Sequence, residues 1–195
     1  QQANWGSTDA GFALNMMTEL RHIAGRLKID AAVKWANEYF DSTGKPLVIF
    51  AHHKDVIQQL YERLDEAASI TGDTPAKLRE ELIQDFQNGE TPFLICSTMA
   101  MKEGVNLDRA NTTLFVEREW VPAWEQQAAA RVRRMTQEDS TCHQVILSAN
   151  NTIDSMFDEV VAAKADIVKS ALDGTDGMRN DIVNDLKKML KEGKV

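Results

Sequence analysis

Three polar side chains between Trp120 and Gln137 have the types and the spacing to bind a chain of phosphates. Gln127, Arg131 and Arg134 stand at positions i, i+4 and i+7. At about 100° per residue they would fall within roughly 60° of one another on a helix, whereas Arg133 would point elsewhere. Because a planar guanidinium donates two parallel hydrogen bonds to phosphate oxygens, this face suits a triphosphate. A solvated basic face is the alternative interpretation.

Apolar runs that alternate with helical stretches predict the sheet that would position this helix. A brief run ends at Ile70, and four longer runs without charged residues occupy 47–51, 93–97, 112–116 and 143–149. Runs of this kind are typical of strands covered on both faces. Strands that alternate with helices imply right-handed crossovers and a parallel sheet. The sequence therefore predicts an α/β fold.

Helices are predicted around these strands from apolar spacings of three and four residues. The first helical stretch covers 11–40, with a soft point at Gly25. Another runs from about Asp55 to Ala67, and a third follows an N-cap at Thr74. We expect a helical lead-in over 1–44, an α/β lobe over 45–150, and a bracing helix with a charged helical tail over 151–195.

Polar clusters follow four of the predicted strands. Ligands of open parallel sheets bind beyond the carboxyl ends of the strands, so four such clusters on one edge predict a binding site. The clusters are His52-His53-Lys54, Thr71-Gly72-Asp73-Thr74, Ser97-Thr98 and Glu117-Arg118-Glu119.

Composition excludes some classes of protein. Among 195 residues, 22 are basic and 30 acidic, and the resulting net charge of −8 argues against a protein that coats polyanions nonspecifically. No apolar run approaches the roughly 18 residues of a membrane helix, so no membrane association is expected. Cys96 and Cys142 lie in apolar runs, which predicts two buried, reduced thiols in a cytosolic setting.

Three short segments imitate known sites. Residues 43–46 (TGKP) end like a phosphate-binding loop, but the upstream glycine is missing and Pro46 cannot continue a helix. Asp65 and Glu66 imitate an acidic metal-binding box, but we expect them on the solvated face of a helix. His52 and His53 are adjacent and would diverge, so no metal site is predicted.

In five stretches the chain resembles the second RecA-like lobe of superfamily-two helicases, specifically the Swi/Snf-type DNA translocases. The segment FAHHK (residues 50–54) resembles most the corresponding segment of the annealing-helicase branch. Glu103, Arg133 and Thr136 depart from the family pattern, which usually has Gly, His and Gly there. The matching stretches are KPLVIFAHHKDVIQQL, ITGDTPAKLREELIQDFQNGE, LICSTMAMKEGVNLDRA, EQQAAARVRRMTQ and NNTIDSMFDEVVAAKADIVKSALDG.

This resemblance implies a RecA-like, P-loop-NTPase-type lobe that works in an ATP-dependent DNA translocase or helicase. ATP with Mg²⁺ would bind between this lobe and an N-terminal RecA-like lobe that carries the phosphate-binding loop and most of the metal ligands. Arg134 would act as the arginine finger, assisted by Arg131 and Gln127. Gly104 and Asn106 would lie beside the nucleotide.

The resemblance also implies a track for the backbone of double-stranded or fork-like DNA. Thr98 would grip a phosphate, and Gly72 would lie on the same track. His52, His53 and Lys54 would complete it. Such contacts read the backbone and not the bases, as a motor that steps along any sequence requires.

Several further expectations follow from the resemblance. The chain, which opens with QQANWG, is expected to be a piece of a longer protein and to have no ATPase activity alone, because it lacks the P-loop and the acidic box. The protein would lie in the nucleus of a eukaryote, or with the nucleoid in the cytoplasm of a prokaryote or virus-infected cell. The alternatives are a lobe of an RNA helicase or restriction-type translocase, and a non-catalytic interaction module on the same fold.

Overall fold

The computed structural model describes residues 6–101, 105–119, 122–132, 142–163, 184–185 and 188. The chain forms two compact units. One comprises Gly25–Leu147, and the other comprises Gln1–Ala24 together with Ser148–Val195.

A five-stranded parallel sheet forms the centre of the unit Gly25–Leu147. Its strand order is β2-β3-β1-β4-β5, so the order changes direction between β1 and β4. The predicted parallel α/β fold is confirmed. The strands are β1 (Leu47–Ala51), β2 (Ala67–Ile70), β3 (Phe93–Ser97), β4 (Thr112–Phe115) and β5 (His143–Ile146).

Helices cover both faces of this sheet, as the apolar runs predict. On β1, the alternate residues Leu47 and Ile49 are buried against one pair of helices, and Val48 and Phe50 are buried against another pair. Side chains of a strand point alternately to opposite faces, so a strand buried on both faces needs an unbroken apolar run. The first pair is α2 (Ile29–Thr43) with α3 (Lys54–Arg63), and the second is α4 (Ala76–Asn88) with α5 (Pro122–Ala130).

The predicted soft point at Gly25 is wrong. The first helix, α1, runs through it and covers Gly6–Leu27, and the break before α2 falls at Lys28. The structure instead shows that the space around position 25 suits only a residue without a β-carbon. A β-carbon there would lie 2.6 Å from Oε1 of Glu117, closer than real contacts allow.

The end of α3 also differs from the prediction. We expected the helix to reach Ala67, but it ends at Arg63 and Ala67 begins β2. The turn between them contains Glu66 at a φ of 56°. Pairing of β2 with β3 decides this boundary, and an amphipathic helical pattern cannot reveal a partner strand 26 residues away. Asp65 and Glu66 are exposed, but in this turn and not on a helix.

The predicted N-cap of α4 lies one residue too early. Pro75 occupies the N-cap position, and α4 begins at Ala76. The hydroxyl of Thr74 instead accepts a hydrogen bond from the backbone N–H of Thr71 at 2.9 Å. Thr74 therefore closes the turn that precedes the helix. Residues 43–46 are not a phosphate loop, because Gly44 ends α2 at a φ of 64°.

The second unit contains α6 (Ile153–Ala163) in its described part. The hydroxyl of Thr152 accepts from the N–H of Asp154 at 3.2 Å, and the Asp154 carboxylate accepts from the N–H of Ala149 at 3.1 Å. These bonds satisfy donors at the start of the helix. The predicted break around residues 174–177 lies outside the described residues.

The two cysteines differ in burial. Cys96 is fully buried in β3, as predicted, whereas Cys142 is half-buried before β5, so that half of the prediction is wrong. Burial raises the pKa of the Cys96 thiol far above its ordinary value. None of the helices in the described part of the chain is both long enough and apolar enough to cross a bilayer.

Candidate functional site

The loops at the carboxyl edge of the sheet lie side by side. Ala51 at the end of β1 pairs with Ser97 at the end of β3, and Phe50 pairs with Phe115 at the end of β4. Because the strands end at the same level, the segments that follow them are neighbours. These segments are His52–His53 after β1, a 3₁₀ turn (Thr98–Met101) after β3, and Glu117–Glu119 after β4.

The helix predicted to bind phosphates begins at Pro122, as expected, but its regular part ends at Ala130. The N–H groups of Arg131 and Val132 donate to carbonyls three residues back, both at 3.1 Å. The prediction that one regular helical face continues through Arg131 is therefore wrong, because the last turn tightens. Gln127 is exposed and Arg131 is half-buried. Arg133 and Arg134 lie outside the described residues.

Arg131 is joined directly to the segment predicted to lie beside a nucleotide. Its carbonyl accepts a hydrogen bond from the N–H of Leu107 at 3.0 Å. Leu107 and Val132 are buried in the same hydrophobic cluster, which fixes this junction. Asn106, the residue before Leu107, is exposed. The structure therefore places Asn106 next to the residue that bonds Arg131, whereas Gly104 lies outside the described residues.

A second set of contacts holds Asn106 from the opposite side. The amide of Gln87, near the end of α4, donates to the carbonyl of Asn106 at 3.1 Å and to the carboxylate of Asp108 at 2.5 Å. Its oxygen accepts from the N–H of Arg109 at 3.2 Å. Arg109 in turn donates to the carbonyl of Phe86 at 2.8 Å. One amide thus fixes both sides of the turn after Asn106.

Thr98 begins the 3₁₀ turn after β3 and is only 2% exposed. Its hydroxyl oxygen makes no hydrogen bond to the described residues. A buried hydroxyl without a partner is uncommon and marks a place where a further group can bind. The predicted contact of Thr98 with a DNA phosphate stays a prediction.

Glu117 locks the loop after β1. Its Oε2 accepts from the N–H groups of His52 and His53 at 2.8 and 2.9 Å, and its Oε1 lies 2.5 Å from Nδ1 of His53. His53 is the N-cap residue of α3, so Glu117 also lies at the start of that helix. The carboxylate is 2% exposed. All its strong interactions are with the neighbouring loop and not with solvent.

Glu125 makes an equivalent connection in the first turn of α5. Its Oε1 accepts a hydrogen bond from Nε of Arg118 at 3.1 Å, and its Oε2 accepts one from Nη2 of Arg118 at 3.0 Å. Oε1 also accepts from the N–H of Glu119 at 2.7 Å. A carboxylate in the first turn also interacts favourably with the helix dipole. The loop after β4 is therefore tied both to the loop after β1 and to α5.

Glu119 lies between these two connections. Its Oε1 is 3.2 Å from Nδ1 of His52, and its side chain is fully buried. Its second oxygen, Oε2, has no hydrogen-bond partner in the part of the chain that the structure describes.

Two of the buried carboxyl groups have pKa values shifted in opposite directions. Burial raises the pKa of Glu117, but the hydrogen bonds from His53 and His52 outweigh burial and leave that pKa below its ordinary value. Burial is also the largest influence on the pKa of Glu125, and the Arg118 pair offsets only part of it, so that pKa lies above the ordinary value.

Lys54 and Gly72, both predicted to lie on a DNA track, are close together at this edge. The ammonium of Lys54 forms an exposed ion pair with the carboxylate of Asp73, the residue after Gly72. A pair this exposed contributes at most about 1 kcal/mol to folding, so Lys54 is available to another anion at little cost. A β-carbon at Gly72 would touch nothing within 4 Å.

No group of three or more His, Cys, Asp or Glu side chains among the described residues has the arrangement of a metal site. His52 and His53 direct their Nδ1 atoms to two different glutamates. Their rings nevertheless lie in edge-to-face contact, with centroids 5.0 Å apart, so the expectation that the two side chains diverge is wrong.

Comparison with known families identifies this arrangement. The model of the helicase conserved C-terminal domain matches residues 29–136, which is more than half of the chain. The chain belongs to this family. The match contains every loop of the carboxyl edge described above and all but the last residue of the stretch EQQAAARVRRMTQ.

Curated relatives of this helicase lobe are of the Swi/Snf type. It is 32% identical over 133 residues to the DNA annealing helicase and endonuclease ZRANB3 of Mus musculus. The matched region covers 65% of this chain and 12% of the relative. The lobe is 28% identical over 135 residues to a SWI/SNF-related matrix-associated actin-dependent regulator of chromatin subfamily A-like protein 1 homolog of Caenorhabditis elegans, which covers 67% of this chain and 19% of the relative. The chain thus spans less than a fifth of these relatives.

Solved structures confirm the fold. The Sulfolobus solfataricus SWI2/SNF2 ATPase core in complex with dsDNA matches with a TM-score of 0.70 at 21% identity, over 91% of this chain and 40% of that one. The C-terminal part of the Fun30 ATPase domain matches with a TM-score of 0.63 at 23% identity, over 80% of this chain and 54% of that one. The chain has the RecA-like fold of these ATPase lobes.

The helicase lobe brings most of the predicted site residues to one edge of the sheet. His52 and His53 lie in the loop after β1, which Lys54 follows as the first residue of α3, and Asn106 and Arg131 lie at one junction. Their roles toward ATP and DNA stay predictions, as do those of Gly104 and Arg134.

Sequence reasoning missed the residues that hold these loops together. Gln87 and Glu125 went unnoticed, and Glu117 and Glu119 were recognised only as members of a polar cluster, without their roles in joining the loops. One signal was available, because Glu117 and Glu119 follow a buried strand directly, where carboxylates are expected at a site. Gln87 and Glu125 gave no comparable signal, since polar residues at helix ends are usually solvated.

Proposed function

We propose that this helicase lobe is the second motor lobe of an ATP-dependent DNA translocase. It would close over ATP bound with Mg²⁺ on a first RecA-like lobe and supply the arginine finger. One observation carries the proposal: the hydrogen bond between the Leu107 N–H and the Arg131 carbonyl. It joins the segment predicted to contact the nucleotide to the segment predicted to contact its phosphates.

The arginines would stabilise charge on the phosphoryl group as it is transferred. Arg131 is half-buried, and partial exclusion of water strengthens the interaction of its guanidinium with phosphate oxygens. Gln127 is exposed on α5 and its amide is free to orient a water molecule. Arg134 is proposed as the arginine finger from its place in the sequence motif. The first lobe would hold most of the metal ligands, and this chain alone would be inactive.

The loops after β1 and β2 would contact the DNA backbone. Lys54 is exposed and is held near Gly72 only by a solvent-screened ion pair, so a phosphate can replace Asp73. The solved ATPase core of similar fold in complex with dsDNA supports DNA as the partner. Double-stranded or fork-like DNA would be bound through phosphates without base recognition, so binding would weaken with salt. The protein would act where chromosomal DNA lies, in the nucleus or the nucleoid.

The decisive experiment changes the two arginines in the full-length protein. We expect Arg134→Ala to lower the DNA-stimulated ATPase rate at least about a hundredfold while ATP and DNA binding change little, because the finger acts in the transition state. Arg131→Ala should lower the rate and also weaken ATP binding. Steady-state turnover and equilibrium binding distinguish these outcomes.

Arg133→Ala is the matched control, because it removes the same charge from the same segment. It should cost far less activity. If Arg133→Ala is the more damaging change, the assignment of Arg134 is wrong. If the wild-type protein hydrolyses ATP equally with and without DNA, the proposed DNA motor is wrong, and an RNA-directed role gains support. A full-length protein that hydrolyses no ATP under either condition would favour a non-catalytic role instead.

A further inference from the structure

Between the proposed DNA-binding loop and α5 lies a chain of two hydrogen bonds, the first part-buried and the second fully buried. It runs from Nδ1 of His52 to Oε1 of Glu119 at 3.2 Å, and from the N–H of Glu119 to Oε1 of Glu125 at 2.7 Å. Glu125 lies in the first turn of α5, two residues before Gln127. The chain connects the loops that flank the point where the strand order changes direction, which is where open parallel sheets bind ligands.

We propose that Glu119 is a positioning residue that couples occupancy of the loop after β1 by DNA to the placement of α5, and so to the rate of ATP hydrolysis. This inference rests on the proposed function. Glu119 is fully buried, so it would touch neither DNA nor ATP. It would act through His52 on one side and Glu125 on the other.

The three buried glutamates differ in a way that singles out Glu119. Glu117 and Glu125 each have both oxygens engaged, with two or more strong hydrogen bonds apiece. Glu119 uses one oxygen, and its Oε2 has no partner among the residues the structure describes. A glutamate with only a structural role would be expected to satisfy both oxygens, because an unsatisfied buried acceptor is costly.

The free oxygen gives Glu119 a low-cost alternative state. If DNA shifts His52, Glu119 can exchange one donor for another without breaking a saturated set of bonds, whereas Glu117 cannot. The exchange would affect the first turn of α5, because the backbone N–H of Glu119 donates a hydrogen bond to Glu125. His52 suits the role at the other end, since its side chain is one-third exposed and so reaches both solvent and Glu119.

The test measures the stimulation factor, the ATPase rate at saturating DNA divided by the rate without DNA, in the full-length protein. Glu119→Gln should lower this factor at least about fivefold, the lower end of typical allosteric couplings. Saturating DNA removes any effect of weaker DNA binding from the comparison. Glu119→Asp, which keeps the charge but shortens the reach to His52, should lower the factor too and serves if the glutamine variant fails to fold.

A double-mutant cycle with His52→Ala tests the pathway. Once His52 is removed, Glu119→Gln should cause little further loss of stimulation, because the two residues act in series. Glu80→Gln is the control: Glu80 is exposed on α4, and the same change of charge there should leave the factor unaltered. Thermal midpoints of all variants show whether loss of stimulation merely follows loss of stability.

Each result decides something. A normal stimulation factor in both Glu119 variants overturns the inference and leaves the proposed motor function standing. Additive losses in the cycle overturn the route through His52. If the wild-type protein shows no stimulation by DNA, the proposed function fails and the coupling role of Glu119 fails with it.

Discussion

The starts of α3 and α5 are two regions built on the same plan with different electrostatic results. Each has a buried glutamate, Glu117 beside α3 and Glu125 in the first turn of α5. Glu117 receives two backbone N–H groups and an imidazole, and its pKa lies below the ordinary value. Glu125 receives a guanidinium and one N–H group, yet its pKa lies above it.

The difference shows that a full charge nearby does not by itself offset burial. Glu125 has a formal ion pair with Arg118, which is itself only 11% exposed, so both charges have lost hydration. Glu117 is held by two backbone N–H dipoles of the loop it organises, and His53 adds a side-chain hydrogen bond and a coulombic attraction that also lower its pKa. We therefore expect the two regions to respond differently when the glutamate is removed or the pH is changed.

The largest expected effect distinguishes the two glutamates by deletion. Glu117→Ala should lower the free energy of unfolding by about 3 kcal/mol, since it leaves two buried N–H groups and an imidazole without their acceptor. Glu125→Ala should cost more, about 4 kcal/mol, because it leaves the Arg118 guanidinium, which is only 11% exposed, without its counter-charge. Urea unfolding of this chain and the two variants measures both values. Equal losses would show that the two regions do not differ as proposed.

A glycine pair gives a smaller effect on the first region. Gly25→Ala places a methyl group 2.6 Å from Oε1 of Glu117 and should destabilise the chain by about 1–2 kcal/mol, after allowing for the better helix propensity of alanine. Gly72→Ala is the control, because its β-carbon would meet nothing within 4 Å. Its effect on stability should stay within about 0.5 kcal/mol. Thermal and urea unfolding test both, and a neutral Gly25→Ala would contradict the tight packing of Glu117.

The smallest effect is a difference in pH dependence. The lowered pKa of Glu117 stabilises the fold above the ordinary glutamate pKa, and this contribution disappears as the pH falls through the lowered value. The raised pKa of Glu125 does the reverse: its contribution is full below the ordinary pKa and is lost as the pH rises through the raised value.

Unfolding of the wild type, Glu117→Gln and Glu125→Gln between about pH 3 and about pH 8 checks both signs. The stability gap between the wild type and Glu117→Gln should narrow toward acid. The difference in free energy of unfolding between the wild type and Glu125→Gln should instead widen toward acid. Parallel pH profiles would mean that the two carboxyl groups have similar environments.

The sequence by itself determined the sheet and its class. The apolar runs at 47–51 and 93–97 are so uniform that only a strand covered on both faces explains them, and the structure bears this out. The order of the motifs and the residue types within them indicated the family, because residue types at fixed spacings can be recognised in the amino-acid sequence alone. The loops expected at the carboxyl edge followed from the parallel arrangement alone.

Only the tertiary structure decided where the elements end and what joins them. Ala67 belongs to β2 and not to the predicted helix, because it pairs with β3. Arg131 lies beyond the regular part of α5, because the last turn tightens. Gly25 looked like a weakness of a helix until Glu117 was found against it. Glu119 and Glu125 are ordinary acidic residues in the sequence. Their burial and partners depend on chain segments up to 67 residues away, and no local pattern encodes such contacts.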